Sequence, residues 1–105
     1  DGKGKPTGKI DKKAIAIVEK HRIAGAAPLS AEELRVRFED GFADEIHRML
    51  ESGVVAAAED IDLCMILGAG WPFQMGGVTP YLDRVGASER VFGSTFHTPP
   101  IRGVA

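Results

Sequence analysis

What this chain has little of narrows its function first. Its 105 residues include a single cysteine, so no internal disulfide can form. Cys64 sits among Leu63, Met65 and Ile66, a setting that predicts a small buried hydrophobe kept reduced in the cytoplasm. Thirteen basic residues against fifteen acidic ones leave a formal charge of -2. No long-range positive field is available to hold a phosphate backbone, and nucleic acid is not expected as a partner. No apolar run approaches the roughly 18–20 residues of a membrane-spanning helix, so no membrane span is expected, and no signal-peptide pattern opens the chain.

Side chains for catalysis are equally sparse. His21, His47 and His97 each stand alone, without ligand spacing to a Cys, a His or a carboxylate pair. Glu59, Asp60 and Asp62 lack the alternating oxygen ligands and closing Glu of a calcium loop, and read instead as acids at a helix start, with Asp62 on or near the solvent side. Cys64 is placed mid-helix, away from the cationic or N-terminal setting that activates a thiolate. Gly2, Gly4 and Gly8 match no phosphate-loop spacing. The sequence therefore assigns no catalytic, cofactor-binding or metal-binding residue to this chain.

What is present is a helical pattern. Hydrophobic residues make up 44% and charged residues 27%, which supports one folded domain of modest core. The expected organisation is a linker from a preceding domain over 1–10, a helical domain over 11–93 and an extended tail over 94–105. The chain starts without Met, at Asp1-Gly2-Lys3-Gly4, and reads as cut inside a longer protein.

Asp11 is positioned to cap a helix over Lys12 to Arg22, with Ala14, Ile15, Ile17 and Val18 as its apolar stripe. Ser30 and Glu33 have capping-box spacing, which starts the longest helix, about Ala31 to Ser52, closed by Gly53. Leu34, Phe38, Phe42, Ile46 and Met49 recur at steps of four, four, four and three, and predict its buried face. Gly41 interrupts that helix at a cost of about 1 kcal/mol relative to Ala; a close approach by another backbone or plain tolerance would each account for it.

A further helix is expected over Ala58 to Gly68, with Ile61, Met65 and either Cys64 or Gly68 on one face. Thr79-Pro80 reads as the cap and first residue of a short helix ending at Gly86. Ser88 can cap one more turn through Phe92. No alternating strand pattern of useful length occurs, so the expected fold is all-α, a small orthogonal bundle of four to five helices.

Between the last helices lies a loop, residues 68 to 77, in which Gly68, Gly70, Gly76 and Gly77 permit unusual backbone angles and Trp71, Phe73 and Met75 offer large apolar contacts beside Pro72. Two readings stand side by side. The aromatic residues can plug the end of the core, or the loop can line a groove for a ligand or a neighbouring domain.

Three ordered stretches carry a family resemblance. Glu45-Ile46-His47-Arg48-Met49-Leu50-Glu51-Ser52-Gly53-Val54-Val55 is similar to a long helix running into an "LEEG" end, with Ser52 in place of the second Glu. Asp60-Ile61-Asp62-Leu63 followed by Leu67-Gly68-Ala69-Gly70-Trp71-Pro72 is similar to "DIDLA…LGxGFP", with Cys64 replacing a small residue and Trp71 a Phe. Gly76-Gly77 through Tyr81-Leu82-Asp83-Arg84-Val85-Gly86 is similar to "GGPLRYADSLG", from which Val78 and Thr79 depart. Together they resemble the C-terminal helical domain of the 3-hydroxyacyl-CoA dehydrogenases, above all the long and multifunctional members of fatty-acid β-oxidation.

That resemblance implies a 3-hydroxyacyl-CoA dehydrogenase C-terminal-domain-like fold within an NAD-dependent enzyme. It also implies that NAD and the catalytic His–Glu pair belong to a Rossmann-type domain elsewhere, because this chain carries neither a G-x-G-x-x-G turn nor such a pair. The implied role is a supporting one: packing against the upstream NAD-binding domain or a sister helical domain, closing the acyl-CoA cleft, and forming a homo-oligomer. A non-catalytic helical interaction or assembly module is the alternative.

Overall fold

The computed structural model describes residues 8–99. Residues 1–7 of the expected linker and 100–105 of the expected tail lie outside the described residues. Among those described there are five α-helices and no strand, the all-α class read from the sequence. They are α1 (Lys12–Lys20), α2 (Ala31–Glu51), α3 (Ala58–Gly68), α4 (Val78–Arg84) and α5 (Ala87–Phe92), with a single 3-10 turn at Phe73–Met75 before α4.

Local chemistry sets most of the boundaries. Ser30 Oγ accepts from the Glu33 amide while the Glu33 carboxylate accepts from the Ser30 amide at 2.7 Å, so the capping box is complete. Asp11 caps α1 by accepting from the Lys13 amide at 2.7 Å. Gly53 takes a φ of +72° just past Ser52, the C-cap of α2.

The bundle is built from α2 to α5. α2 packs on α5, and α3 and α5 both pack on α4. Ala43, Ile46, Ile61, Val78, Leu82 and Ala87 form the buried core, against which Leu50, Met65, Trp71 and Phe92 are half-buried. α1 takes no part: every residue from 8 to 30 is exposed, including the stripe of Ile15, Ile17 and Val18.

Two expectations about burial are corrected. Of the five residues expected to line the buried face of α2, Ile46 is buried and Met49 half-buried, but Leu34, Phe38 and Phe42 are exposed, at 44%, 68% and 43%. The buried line of α2 is Glu39, Ala43 and Ile46 with half-buried Leu50, rotated by one residue from the predicted stripe. The reason is the neighbour: small Ala43 admits α5 closely, and Glu39 is drawn inward by the Tyr81 hydroxyl, which donates to it at 2.6 Å. Cys64, expected to be buried, is exposed, because α3 presents Ile61 to the core and turns Cys64, Leu63 and Leu67 outward.

Candidate functional site

The end of the bundle that carries the glycine-rich loop is organised by Asp62. Its carboxylate accepts from the Thr79 amide at 2.8 Å and from the Thr79 hydroxyl at 2.7 Å. These are the bonds an N-cap residue ordinarily makes, supplied here from another helix, and they place a negative charge on the positive end of α4. Thr79 is accordingly not the cap that its pairing with Pro80 predicted. Helix α4 begins two residues earlier, at Val78 behind Gly77, and Thr79 is fully buried within its first turn. Asp62, expected near the solvent, has a side chain only 13% exposed.

Gly77 is what makes this cap possible. A Cβ on Gly77 would lie 2.3 Å from Cγ of Asp62, so any larger residue would displace the carboxylate. On the far side of Thr79, His97 is buried and its Nε2 lies 2.7 Å from the Thr79 hydroxyl oxygen. Because that hydroxyl donates its one hydrogen to Asp62, Nε2 is the donor to it, which fixes the ring proton. The Asp83 carboxylate holds the same segment in place by accepting from the Phe96 and His97 amides at 2.9 and 3.1 Å, and it also receives the Ser88 hydroxyl. Ser88 therefore serves Asp83 and does not cap α5, whose N-cap is Gly86.

The loop itself divides. Gly70 and Gly76 take left-handed φ values of +74° and +83°, and between them the chain turns Trp71 inward and Phe73 outward. Trp71 is half-buried and meets Tyr81 edge-on, ring centroids 5.4 Å apart. Phe73 is 80% exposed and Pro72 is exposed beside it, so neither helps to plug the core. Met75 is half-buried, and its carbonyl accepts from the Arg84 guanidinium at 2.8 Å. Gly68 closes α3.

Trp71 and Tyr81 form one wall of an open groove of about 280 Å³, whose other wall is Phe38 and Phe42 of α2. At its base Glu39 accepts from both the Tyr81 hydroxyl and the Arg35 guanidinium, each at 2.6 Å. That bond to Glu39, reinforced by burial, holds the Tyr81 phenol above its usual pKa. Glu39 Oε2 and Trp71 Nε1 are buried with no hydrogen-bond partner among the described residues. The groove is thus an apolar trough over an ion-paired floor, suited to an apolar group.

Sequence reasoning located the loop but missed the opposite wall and the polar network. Phe38 and Phe42, which helical periodicity places in the interior, are exposed and line the groove. The link from Asp62 to Thr79 spans seventeen residues, and only a helical pairing of α3 with α4 reveals it.

Comparison with known proteins adds what the geometry does not. The chain is similar to part of the fatty acid oxidation complex subunit alpha. Over 91 residues, 87% of this chain, it is 31% identical to that subunit from Acinetobacter baumannii strain SDF, and to the same degree to that from strain AYE. The chain spans about 13% of the length of these relatives. No protein-family model matches it, and no solved structure does.

Proposed function

We propose that this chain is the C-terminal helical domain of an NAD-dependent 3-hydroxyacyl-CoA dehydrogenase of fatty-acid β-oxidation, a lobe that supports domain packing, closure of the acyl-CoA cleft and dimerisation and carries no catalytic residue of its own. The observation that carries the reading is the similarity to the fatty acid oxidation complex subunit alpha along 87% of the chain. The exposed aromatic face of α2 and the groove beside it support it, since an accessory lobe needs apolar surface to present to its neighbours.

The described residues do not fit NAD. A dinucleotide diphosphate is held by a glycine turn that leaves a strand and opens a helix, whereas the glycine-rich turn here joins two helices, and the Asp62 carboxylate stands where an anion would bind at the start of α4. In this reading NAD and the acyl-CoA are held by other parts of a longer protein.

The alternative, a purely assembling module, uses the same surfaces. The sequence preceding Asp1 separates the two: a glycine-rich nucleotide turn and a His–Glu pair support the dehydrogenase, and their absence leaves assembly alone.

A further inference from the structure

Helix α1 stands apart from the bundle with a two-sided surface. Every one of its residues is exposed, and helical spacing puts Ala14, Ile15, Ile17 and Val18 on one side and Lys12, Lys13 and Lys20 on the other. The three lysine side chains make no ion pair or hydrogen bond with a described residue. Residues 1–22 hold seven basic and three acidic side chains, whereas residues 23–105 hold six and twelve, so a basic segment precedes an acidic remainder. A helix of nine residues is marginal in water unless it packs on a surface.

The bundle has a surface of matching character. Between α2 and α3 runs an open apolar groove of about 270 Å³, lined by Ile46, Ile61 and Met65 with the exposed Cys64 beside them. Its charged lining residues are Glu45 and Asp60, both exposed and without an ion pair or side-chain hydrogen bond to a described residue. Arg35 and Arg37 line the grooves along the aromatic face of α2 and disfavour a lysine-bearing helix there. The tether between α1 and α2 is long enough for the acidic groove: residues 21–30 reach up to about 33 Å when extended, and Glu45 lies about 21 Å along α2 from its start at Ala31.

We propose that α1 is a strap for its own bundle, seating in the groove between α2 and α3. Ile15 and Val18 then cover the apolar lining, and the lysine stems reach round to Glu45 and Asp60 at the rim. The structure shows the strap released. Because the tether makes closure intramolecular, α1 meets the groove at an effective concentration of about millimolar. Seated, it shields Cys64 and withholds the groove from other partners; released, it exposes both. Leu34 and Phe38 stay open in either state, so the inference goes beyond the proposed function and stands apart from it.

The test is the rate at which iodoacetamide alkylates Cys64, the one cysteine of the chain, followed by mass spectrometry, with folding of each variant checked by circular dichroism. Ile15→Glu together with Val18→Glu should raise that rate at least about fivefold, the ratio for a strap seated about four-fifths of the time. Lys12→Glu together with Lys13→Glu should also raise it, and added salt should bring the wild-type rate toward that of the variants. Under mild oxidation, Val18→Cys should form a disulfide with Cys64 inside one chain. Equal alkylation rates in the wild type and the Ile15→Glu, Val18→Glu variant would overturn the inference. A disulfide that forms only between chains would overturn it in favour of a second copy. Binding of α1 to phosphatidylglycerol vesicles, with Cys64 equally reactive in wild type and variant, would assign the helix to a lipid surface instead. Protection of Cys64 that appears only in a longer protein and ignores the α1 substitutions would assign the groove to another domain.

Discussion

Replacing Asp62 by Ala removes the carboxylate that holds α3, α4 and the 95–97 segment to one another through Thr79. Two hydrogen bonds are lost, to the Thr79 amide at 2.8 Å and to its hydroxyl at 2.7 Å. A bond to an ionised group contributes about 1.5–3 kcal/mol. The hydroxyl retains His97 Nε2 at 2.7 Å as a partner, so the loss falls mainly on the amide, which Thr79 buries completely. α4 has only seven residues and would also lose the charge at its N-terminus. The sum is about 3 kcal/mol, a large fraction of the 5–15 kcal/mol that holds a small domain together. Asp62→Asn, which keeps one acceptor, should lose about half as much. Urea denaturation followed by far-UV circular dichroism and Trp71 fluorescence measures both. Pairing Asp62→Ala with Thr79→Val in a double-mutant cycle should give a coupling of at least about 1 kcal/mol. A loss under about 0.5 kcal/mol for Asp62→Ala, or strict additivity in the cycle, would refute the cross-helix cap.

Gly77→Ala brings a methyl group to within 2.3 Å of Cγ of Asp62 and should destabilise by about 1–3 kcal/mol, read from the urea midpoint; in an Asp62→Ala background the penalty should largely vanish. On α2, Ile46→Ala should cost about 2–4 kcal/mol in the monomer, since Ile46 is 4% exposed, whereas Phe38→Ser should leave monomer stability within about 0.5 kcal/mol. Equal losses at the two positions would show that the predicted stripe is buried after all. With pH, the Tyr81 phenol has a folded pKa raised above 10.0 by its bond to Glu39, so its stabilisation is complete below pH 10 and is lost as pH rises through the folded value; Tyr81→Phe should flatten that alkaline decline. The Glu33 carboxyl is lowered below 4.5, first by its bond from the Ser30 amide, so the capping box contributes above pH 4.5 and is lost as acid carries the pH through the lower folded value, an effect that Ser30→Ala should reduce in the same denaturation series.

Much of the fold was legible because its signals are local. The capping box at Ser30 and Glu33, Asp11 as a cap and Gly53 past the end of α2 each depend on residues no more than a few positions apart. The orientation of α2 was less legible. Periodicity identified an apolar line through Leu34, Phe38, Phe42 and Ile46, but two adjacent lines run along this helix, and α5 selects the one that contains Ala43. Small size and an inward Glu39 decided the contact, and hydropathy conveys neither. Asp62, Thr79 and His97 show the same limit: each is unremarkable alone, and their joint role exists only once α3, α4 and the segment after α5 meet. At the loop, Trp71 is turned toward the bundle, as the core reading expected, and also lines the groove, whereas Phe73 is turned to solvent.

The central claim is that this helical lobe presents docking surface to an enzyme whose hydride chemistry resides elsewhere. Under the proposed function its most direct test is the rate of NADH formation from a 3-hydroxyacyl-CoA by a longer protein carrying this chain, compared with the same protein carrying Phe38→Glu and Phe42→Glu and with the 105-residue chain alone. The account predicts turnover by the longer protein, a loss of at least about tenfold on charging the α2 face, and none from the chain alone. Turnover or NAD binding by the isolated chain, or an unchanged rate in the charged variant, would contradict it.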